Sequence, residues 1–589
     1  LNYHFQRWMS ALMTKNTKYR SAPHAIMRDP ANVMDLNRLG SLYPYKLSFM
    51  RKLVRRVMHE NWDISTALFN LDKEGYGEVV YEIQTPKNTY HFVVFANYLD
   101  PETRTDRVIA DKWDITLTLR HGKFNKNELS MLKKNVPLQE NGRMSSNSIV
   151  LSRANKSSRN FQYILDKLTS GQQPSKDKIS EVGYIYRTTA VYGSGKFGMA
   201  DWEKVRTLYE DFNEPFLAEM FSCFMIRQFS FDQIDHIASL RAPKKSVKLK
   251  NSIKRNLGIG NATGLGMAPF LIKHPLLINN WIEKRERVLA NIIYSTEPNN
   301  QKIKSVLSLT KRAINHLQEI VTGNHQQNQI NEDACKQLIL LMDWISENKK
   351  NIKDWETLTN HISKEYNIES QEILNTILIE IHPKEALALE TSEYVEEKYE
   401  LRPEMTIDKL KKIIQEKYKW ALDYNFAAKD TDSVFWYRSE EKMEPRLGIR
   451  GIDDGDEKEM ILGIAKNVSQ CYKAIRSLPS NLNIRTVAEF VFHEPKFRKI
   501  IRRIQTMSET FYGEIQANLL HKDVLPIHLL RCKLSFFGVG KFDPKSKLWV
   551  RNTMFQGAPI IEDIQSNYQD DWFFPVIDIH DSSENHEIQ

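Results

Sequence analysis

The chain has 589 residues, of which 41% are hydrophobic and 27% charged, a balance that is ordinary for a globular protein. At about 150 residues per domain this length predicts two to four domains, and no apolar run reaches the roughly 18 residues that cross a bilayer, so we expect no membrane partner. The net charge of +9 permits a nucleic acid or an acidic ligand as partner without requiring either.

The cysteines lie far apart and show neither a metal-binding spacing nor a disulfide framework, which predicts a reducing, cytoplasmic location. The nearest approach to a metal set is His521, His528 and Cys532, but Pro526 interrupts the helix that would have to carry all three, and no fourth ligand is evident. We therefore predict no metal site. The cysteines are Cys223, Cys335, Cys471 and Cys532.

Residues 76–120 carry the pattern of an antiparallel sheet. Segments 78–83 and 91–96 are rich in β-branched and aromatic residues, and Pro86, Lys87 and Asn88 between them predict a hairpin turn. Residues 184–192 have the same composition and predict one further strand.

This strand leads into a glycine loop with the pattern G-x-G-x-x-G, followed by Asp201 as a candidate helix cap. Glycines let a backbone approach a phosphate or carboxylate closely, and a nearby Lys or Arg adds charge. A dinucleotide fingerprint is excluded because no second strand ending in an acid follows, and the kinase motifs are missing. The alternative is a hairpin turn with ordinary packing duties. The candidate anion-binding residues are Arg187, Gly193, Gly195, Lys196 and Gly198.

Residues 215–240 predict a buried helix, because Phe and Met recur there at helical spacing. The window 241–255 is then strongly basic and runs into a second glycine loop ahead of a helix start at Pro269, which together describe an anion site. The pattern does not match a P-loop, and the alternative is a solvated charged loop followed by a turn. The candidate binding residues are Gly258, Gly260, Gly264 and Gly266, with His274 beyond them as a candidate catalytic residue.

Residues 276–425 predict a block of helices with one polar face each. Residues 430–460 then form a long non-helical stretch in which acids and arginines alternate, and its carboxylates could act as general acid and base. The alternative is a solvated charged surface. The candidate catalytic residues of this stretch are Glu440, Glu441 and Asp453.

The predicted fold class is α+β and predominantly helical, with a small antiparallel β-sheet in the N-terminal half and a large multi-helix block. We predict an α+β domain over 1–296, containing the sheet at about 76–120 and 182–192 and both glycine loops. A helical domain over 297–405 and a mainly helical domain with short strands over 406–577 follow, with a disordered tail at 578–589.

Three functions remain open at this stage. The first is an intracellular enzyme that binds an anionic metabolite or a phosphate-bearing cofactor at the glycine loops, with neither the reaction class nor the cofactor readable. The second is an RNA-binding protein, which the pI and the basic window favour, although no RNA-binding motif accompanies them. The third is an interaction or scaffold protein that uses the helical block as its docking surface.

Overall fold

We describe the fold from a computed structural model of the chain. The structure describes residues 27–33, 35, 43, 46–100, 102, 113–138, 142–145, 147–188, 208–214, 216–264, 275–390, 401–427, 436–439, 445–446, 459–462, 464–508, 512, 531, 534–544, 549–566 and 572–575.

The strands of the described chain fall into one large sheet and one small one. In chain order they are β1 (Asp63–Leu71), β2 (Gly77–Gln84), β3 (Thr89–Ala96), β4 (Ile115–His121), β5 (Gly142–Ser145), β6 (Ser148–Lys156), β7 (Tyr184–Thr188), β8 (Gly258–Gly264), β9 (Trp436–Ser439), β10 (Pro445–Arg446), β11 (Glu459–Leu462), β12 (Lys541–Pro544) and β13 (Trp549–Met554).

The helices lie before, between and after these strands. They are α1 (Pro30–Val33), α2 (Phe49–His59), α3 (Lys126–Asn135), α4 (Asn160–Thr169), α5 (Lys176–Ser180), α6 (Leu217–Arg241), α7 (Asn251–Asn256), α8 (Pro275–Ser295), α9 (Asn300–Glu319), α10 (His325–Asn348), α11 (Trp355–Glu365), α12 (Ile368–Glu380), α13 (Pro383–Glu390), α14 (Ile407–Lys417), α15 (Lys419–Asp423), α16 (Ile464–Arg476), α17 (Val487–His493), α18 (Arg498–Met507) and α19 (Ile561–Gln565).

The main sheet corrects the predicted fold class. The chain is α+β, with 57% of the described residues helical, but the expectation of a small antiparallel sheet in the N-terminal half is wrong. The sheet has ten strands in the order β1-β2-β3-β4-β6-β7-β8-β13-β12, with β5 on β6, so it also recruits strands close to the C-terminus. It is mixed, because β7 and β8 run parallel while the other pairs are antiparallel.

The predicted hairpin is confirmed, since β2 pairs with β3 across a tight turn. Thr85 closes this turn: its backbone N–H donates to the Asn88 carbonyl at 2.9 Å, and its hydroxyl accepts from the Asn88 N–H. The buried Asp211 carboxylate accepts from Thr85, Asn88 and Tyr90, which fixes the turn to the segment before α6. A side chain distant in sequence thus anchors a locally encoded turn.

Helix α6 confirms the buried helix predicted at 215–240 and lies at the centre of the main core. It packs on β6, β7 and β8 and contacts α2 and α4. Arg227 on α6 is fully buried and donates to the carbonyls of Leu257, Ala558 and Pro559, at 2.6, 2.9 and 3.0 Å. Burial lowers the pKa of the Arg227 guanidinium to about 9, which leaves it charged at neutral pH. This one side chain therefore joins the central helix to the start of β8 and to the segment after β13.

Buried hydrophobic side chains form two large clusters. The first contains residues of the sheet, of α2, α4, α6 and α8 to α13, and of the C-terminal segments at 534–564 and 572–574. The second contains residues 405–504 and fills the space between α14, α16, α17 and α18. The predicted division at 296, 405 and 577 stays a prediction, and the predicted tail at 578–589 lies outside the described residues.

Candidate functional site

Two of the predicted binding segments meet in the sheet. Arg187 lies on β7 directly beside Gly260 of β8 in the parallel ladder. Because these strands run in the same direction, their carboxyl ends reach the same edge of the sheet, where ligands of open sheets often bind. The other predicted residues lie outside the described residues: Gly193, Gly195, Lys196, Gly198, Gly266 and the catalytic candidates His274, Glu440, Glu441 and Asp453.

The second predicted glycine loop is a strand over Gly258, Gly260 and Gly264, so the local structure expected there is wrong. These positions belong to β8, hydrogen-bonded between β7 and β13. A Cβ on Gly258 would lie 2.2 Å from the Met554 carbonyl oxygen, and one on Gly260 would lie 2.5 Å from the Tyr184 ring. Close packing between neighbouring strands thus accounts for these two glycines. Whether the segment also binds an anion stays a prediction.

Three of the seven cations in the basic window 241–255 form ion pairs, and the other four are exposed lysines. Arg255 forms a two-pronged ion pair with Asp563, with its shorter N–O distance 2.6 Å, and Lys254 lies 3.4 Å from Asp235. Arg241 pairs with Glu74. The window therefore fastens α6 and α7 to their surroundings, which weakens its claim to be an anion site.

A cavity in the described part of the chain lies beside the N-terminal turn of α2. Its walls come from the segment at Tyr43, from α2, α9 and α10, and from the C-terminal segments 531–542, 556 and 572–575. Its volume is about 100 Å³, somewhat below the roughly 150 Å³ of a cavity that holds benzene. Phe542, Phe573 and Phe574 line it together with Leu317 and Val539, so its body is apolar.

Two buried donors on the cavity wall have no hydrogen-bond partner within the described chain. They are the indole N–H of Trp572 and the side-chain amide nitrogen of Gln556, and both side chains are almost fully buried. The half-buried Arg531 lies beside them, 3.3 Å from the Glu369 carboxylate and 5.7 Å from the centre of the Phe542 ring. Buried donors without acceptors are rare in native proteins, and a bound ligand or water is the usual reason.

An acceptor complements these donors. The Nδ1 atom of His316 lies 2.7 Å from the Pro575 carbonyl oxygen. A carbonyl can only accept, so Nδ1 carries the proton and Nε2 presents a lone pair. Burial lowers the pKa of His316 to about 4, so the imidazole is neutral at pH 7. The cavity wall can therefore donate hydrogen bonds to an anionic or carbonyl oxygen of a ligand and accept one hydrogen bond from a ligand donor.

The acidic face of α12 balances the cations around the cavity. Glu380 accepts from both terminal nitrogens of Arg51 at 2.9 and 3.1 Å, and Glu369 accepts from the Tyr43 hydroxyl at 2.8 Å as well as pairing with Arg531. Burial and the Glu369 charge raise the pKa of Tyr43, which keeps it a donor. Arg51 and Arg531 are thus each paired with a carboxylate of α12.

A second group of unsatisfied polar atoms lies beside the cavity on the sheet. Asn261 of β8 and Asn552 of β13 are direct cross-strand partners, and Asn552 is also the partner of Phe542, which lines the cavity. Direct partners share one face of a sheet. The Asn261 Oδ1 atom and both side-chain polar atoms of Asn552 are buried without a hydrogen-bond partner among the described residues. A polar strip therefore continues from the cavity across two strands.

The sequence alone did not reveal this site. Its side chains come from positions between 43 and 575 that are separated by long stretches of chain, and none belongs to a motif. Asn261 does lie within the predicted glycine segment, but strand alternation turns it away from the face that the glycines leave open. Asn261, a polar residue among glycines and β-branched residues, was the one local feature of the sequence that could have indicated this site.

No protein-family model matches the chain, and it matches neither a curated protein nor a solved structure. No helix within the described ranges is both long and apolar enough to cross a membrane.

Proposed function

We propose that this protein binds a small monocarboxylic acid with an apolar body in the cavity between α2, α9, α10 and the C-terminal segments. The observation that carries the proposal is the pair of unsatisfied buried donors on Gln556 and Trp572 beside the Arg531 guanidinium, around an apolar volume. A carboxylate supplies several lone pairs to such donors, and one bound here would share the Arg531 guanidinium with Glu369. The phenylalanine side chains would enclose the rest of the molecule.

This proposal keeps the anionic metabolite that the sequence suggested as a ligand, but it places the binding site in the cavity instead of at the glycine segments. Binding is proposed without a reaction, because the neutral His316 has a pKa far below the pH at which a general base works well. Catalysis at Glu440, Glu441, Asp453 or His274 stays a prediction, as does a cofactor at the glycine segments. A cytoplasmic location belongs to the same proposal and rests on the cysteines, three of which are buried free thiols.

The experiment is a thermal-shift titration of the full chain with propionate and butyrate and with their neutral amides as matched ligands. A ligand of the folded state adds about 2.7 kcal/mol to the free energy of unfolding at a concentration near a hundred times Kd, so the carboxylates should raise Tm. The amides should raise it far less because they lack the charge that Arg531 recognises.

Substitutions locate the effect. Arg531→Met should abolish the shift, and Trp572→Phe should weaken it while preserving the ring. Trp355→Phe is the control, because its indole N–H is also buried without a partner but lies away from the cavity. Equal shifts with acids and amides, or an unchanged shift in Arg531→Met, would exclude carboxylate recognition at this site.

A further inference from the structure

The chain concentrates its positive charge in one part. We call residues 401–427 and 464–508 the basic module; they contain fifteen Lys and Arg residues against six Asp and Glu residues. The residues between these two segments, 428–463, carry six Lys and Arg residues against ten Asp and Glu residues, so the continuous stretch 401–508 supplies five of the nine net positive charges of the protein. The basic module is therefore a positively charged surface that can attract a polyanion.

The apolar side chains of the basic module are used by its own core. Leu410 and Ile414 of α14 meet Val468 of α16, Phe490 of α17 and Ile501 of α18 in the second hydrophobic cluster, all of them buried. Insertion of a helix into a lipid surface needs an unpartnered apolar face. Apart from Leu482 and Phe492, the large side chains that the module leaves to solvent are polar or charged, which favours a water-soluble polyanion over a membrane.

A groove of about 720 Å³ runs between α14–α15 and α16. Lys419 lies on one wall, and Lys473 and Arg476 lie one helical turn apart on the other, with Asp423 as the acid in the lining. Within the described chain these three cations form no ion pair. They differ in this respect from Lys254 and Arg255, which are paired with the Asp235 and Asp563 carboxylates.

The groove also contains an aromatic ring. Tyr472 accepts a hydrogen bond from the Gln415 amide at 2.8 Å, and the Arg476 guanidinium lies 6.0 Å from the centre of its ring. Elsewhere on the module, Phe492 of α17 is 86% exposed. Cationic grooves with accessible aromatic rings are the common means of binding single-stranded nucleic acids, since the cations hold phosphates and the rings stack on bases.

We propose that the groove of the basic module binds single-stranded nucleic acid through its phosphodiester backbone, with Lys419, Lys473 and Arg476 as the phosphate contacts. This function is additional to carboxylate binding in the cavity and independent of it, because the two sites share no residue. Recognition through phosphates and stacking predicts little dependence on base sequence.

The test measures binding of the full-length protein to a fluorescent single-stranded RNA of about 20 nucleotides by anisotropy over a range of salt concentrations. Each phosphate contact to a single strand contributes about 0.7 to the slope of log K against log salt. Combining Lys419→Gln, Lys473→Gln and Arg476→Gln should therefore reduce that slope by about 2 and weaken binding about 50-fold near 0.15 M salt. Asp423→Asn should strengthen binding.

The control removes the same charge elsewhere, through Lys244→Gln, Lys245→Gln and Lys250→Gln in the exposed part of the window 241–255. It should leave affinity and slope nearly unchanged. Equal losses in both triple variants would overturn the proposal, because binding would then follow total charge. So would an unaltered affinity in the groove variant. Binding to anionic lipid vesicles but not to RNA would also overturn it, in favour of a membrane surface. Tighter binding to duplex than to single strands would refute the stacking role of the rings.

Discussion

Asn552 offers a prediction in which stability and function should change in opposite directions. Its side chain is 1% exposed, and neither its oxygen nor its nitrogen has a hydrogen-bond partner among the described residues. A buried polar group without a partner carries a desolvation penalty of about 1–3 kcal/mol. Leucine has nearly the same shape, so Asn552→Leu removes the penalty without opening a cavity or overpacking the sheet. We expect the free energy of unfolding to rise by about 1–3 kcal/mol.

The matched control is the same substitution at Asn160. This side chain is equally buried, but its amide donates to the carbonyls of Ile179 and Tyr184, each at 3.2 Å. Asn160→Leu deprives two buried carbonyls of a donor, so we expect a loss of about 2–4 kcal/mol. The free energy of unfolding should thus rise or fall according to whether the replaced amide has hydrogen-bond partners, because both substitutions replace a buried Asn with Leu.

Equilibrium unfolding in urea, followed by intrinsic fluorescence, measures both effects as shifts of the midpoint at constant slope. If Asn552→Leu destabilises the protein as much as Asn160→Leu, the Asn552 amide has a partner such as an ordered water and the reasoning is refuted. If instead Asn552→Leu is stabilising and also diminishes the shift caused by butyrate, the polar strip on β8 and β13 belongs to the binding site. Natural proteins retain such costly groups where function needs them.

Two further substitutions test the core. Burial raises the pKa of Glu219 from 4.5 to about 7, so the folded state holds its proton more tightly and stability falls as pH rises from about 4.5 to 7. Glu219→Gln should abolish this fall, adding about 3 kcal/mol to the free energy of unfolding at pH 8 and nothing near pH 4. Urea unfolding midpoints of both proteins at both pH values measure this difference, and an equal effect at the two pH values would contradict the prediction. Arg227→Met should cost about 3–5 kcal/mol, because five carbonyls lose a charged donor. Arg227→Lys should lose less, and circular-dichroism melting of both variants decides the order.

Local sequence patterns determined the parts of this protein that depend on near neighbours. The hairpin of β2 and β3 follows from two branched, aromatic segments around Pro86 and Asn88, and helix α6 follows from the spacing of its Phe and Met residues. The net charge could also be obtained from the sequence, because it is a sum over individual residues. These features need no knowledge of which segments meet in space.

The tertiary structure decided the remainder. Strand β8 has almost no apolar pattern, and its glycines are explained by Met554 and Tyr184, which the sequence places far away. In the basic window 241–255, the fold pairs Arg241, Lys254 and Arg255 with Glu74, Asp235 and Asp563, which are distant in sequence or on other elements. The donors Gln556 and Trp572 become candidates for binding because the fold buries them at one cavity without supplying acceptors. Burial and pairing are properties of three-dimensional contacts, and they convert an ordinary polar residue into a candidate for binding.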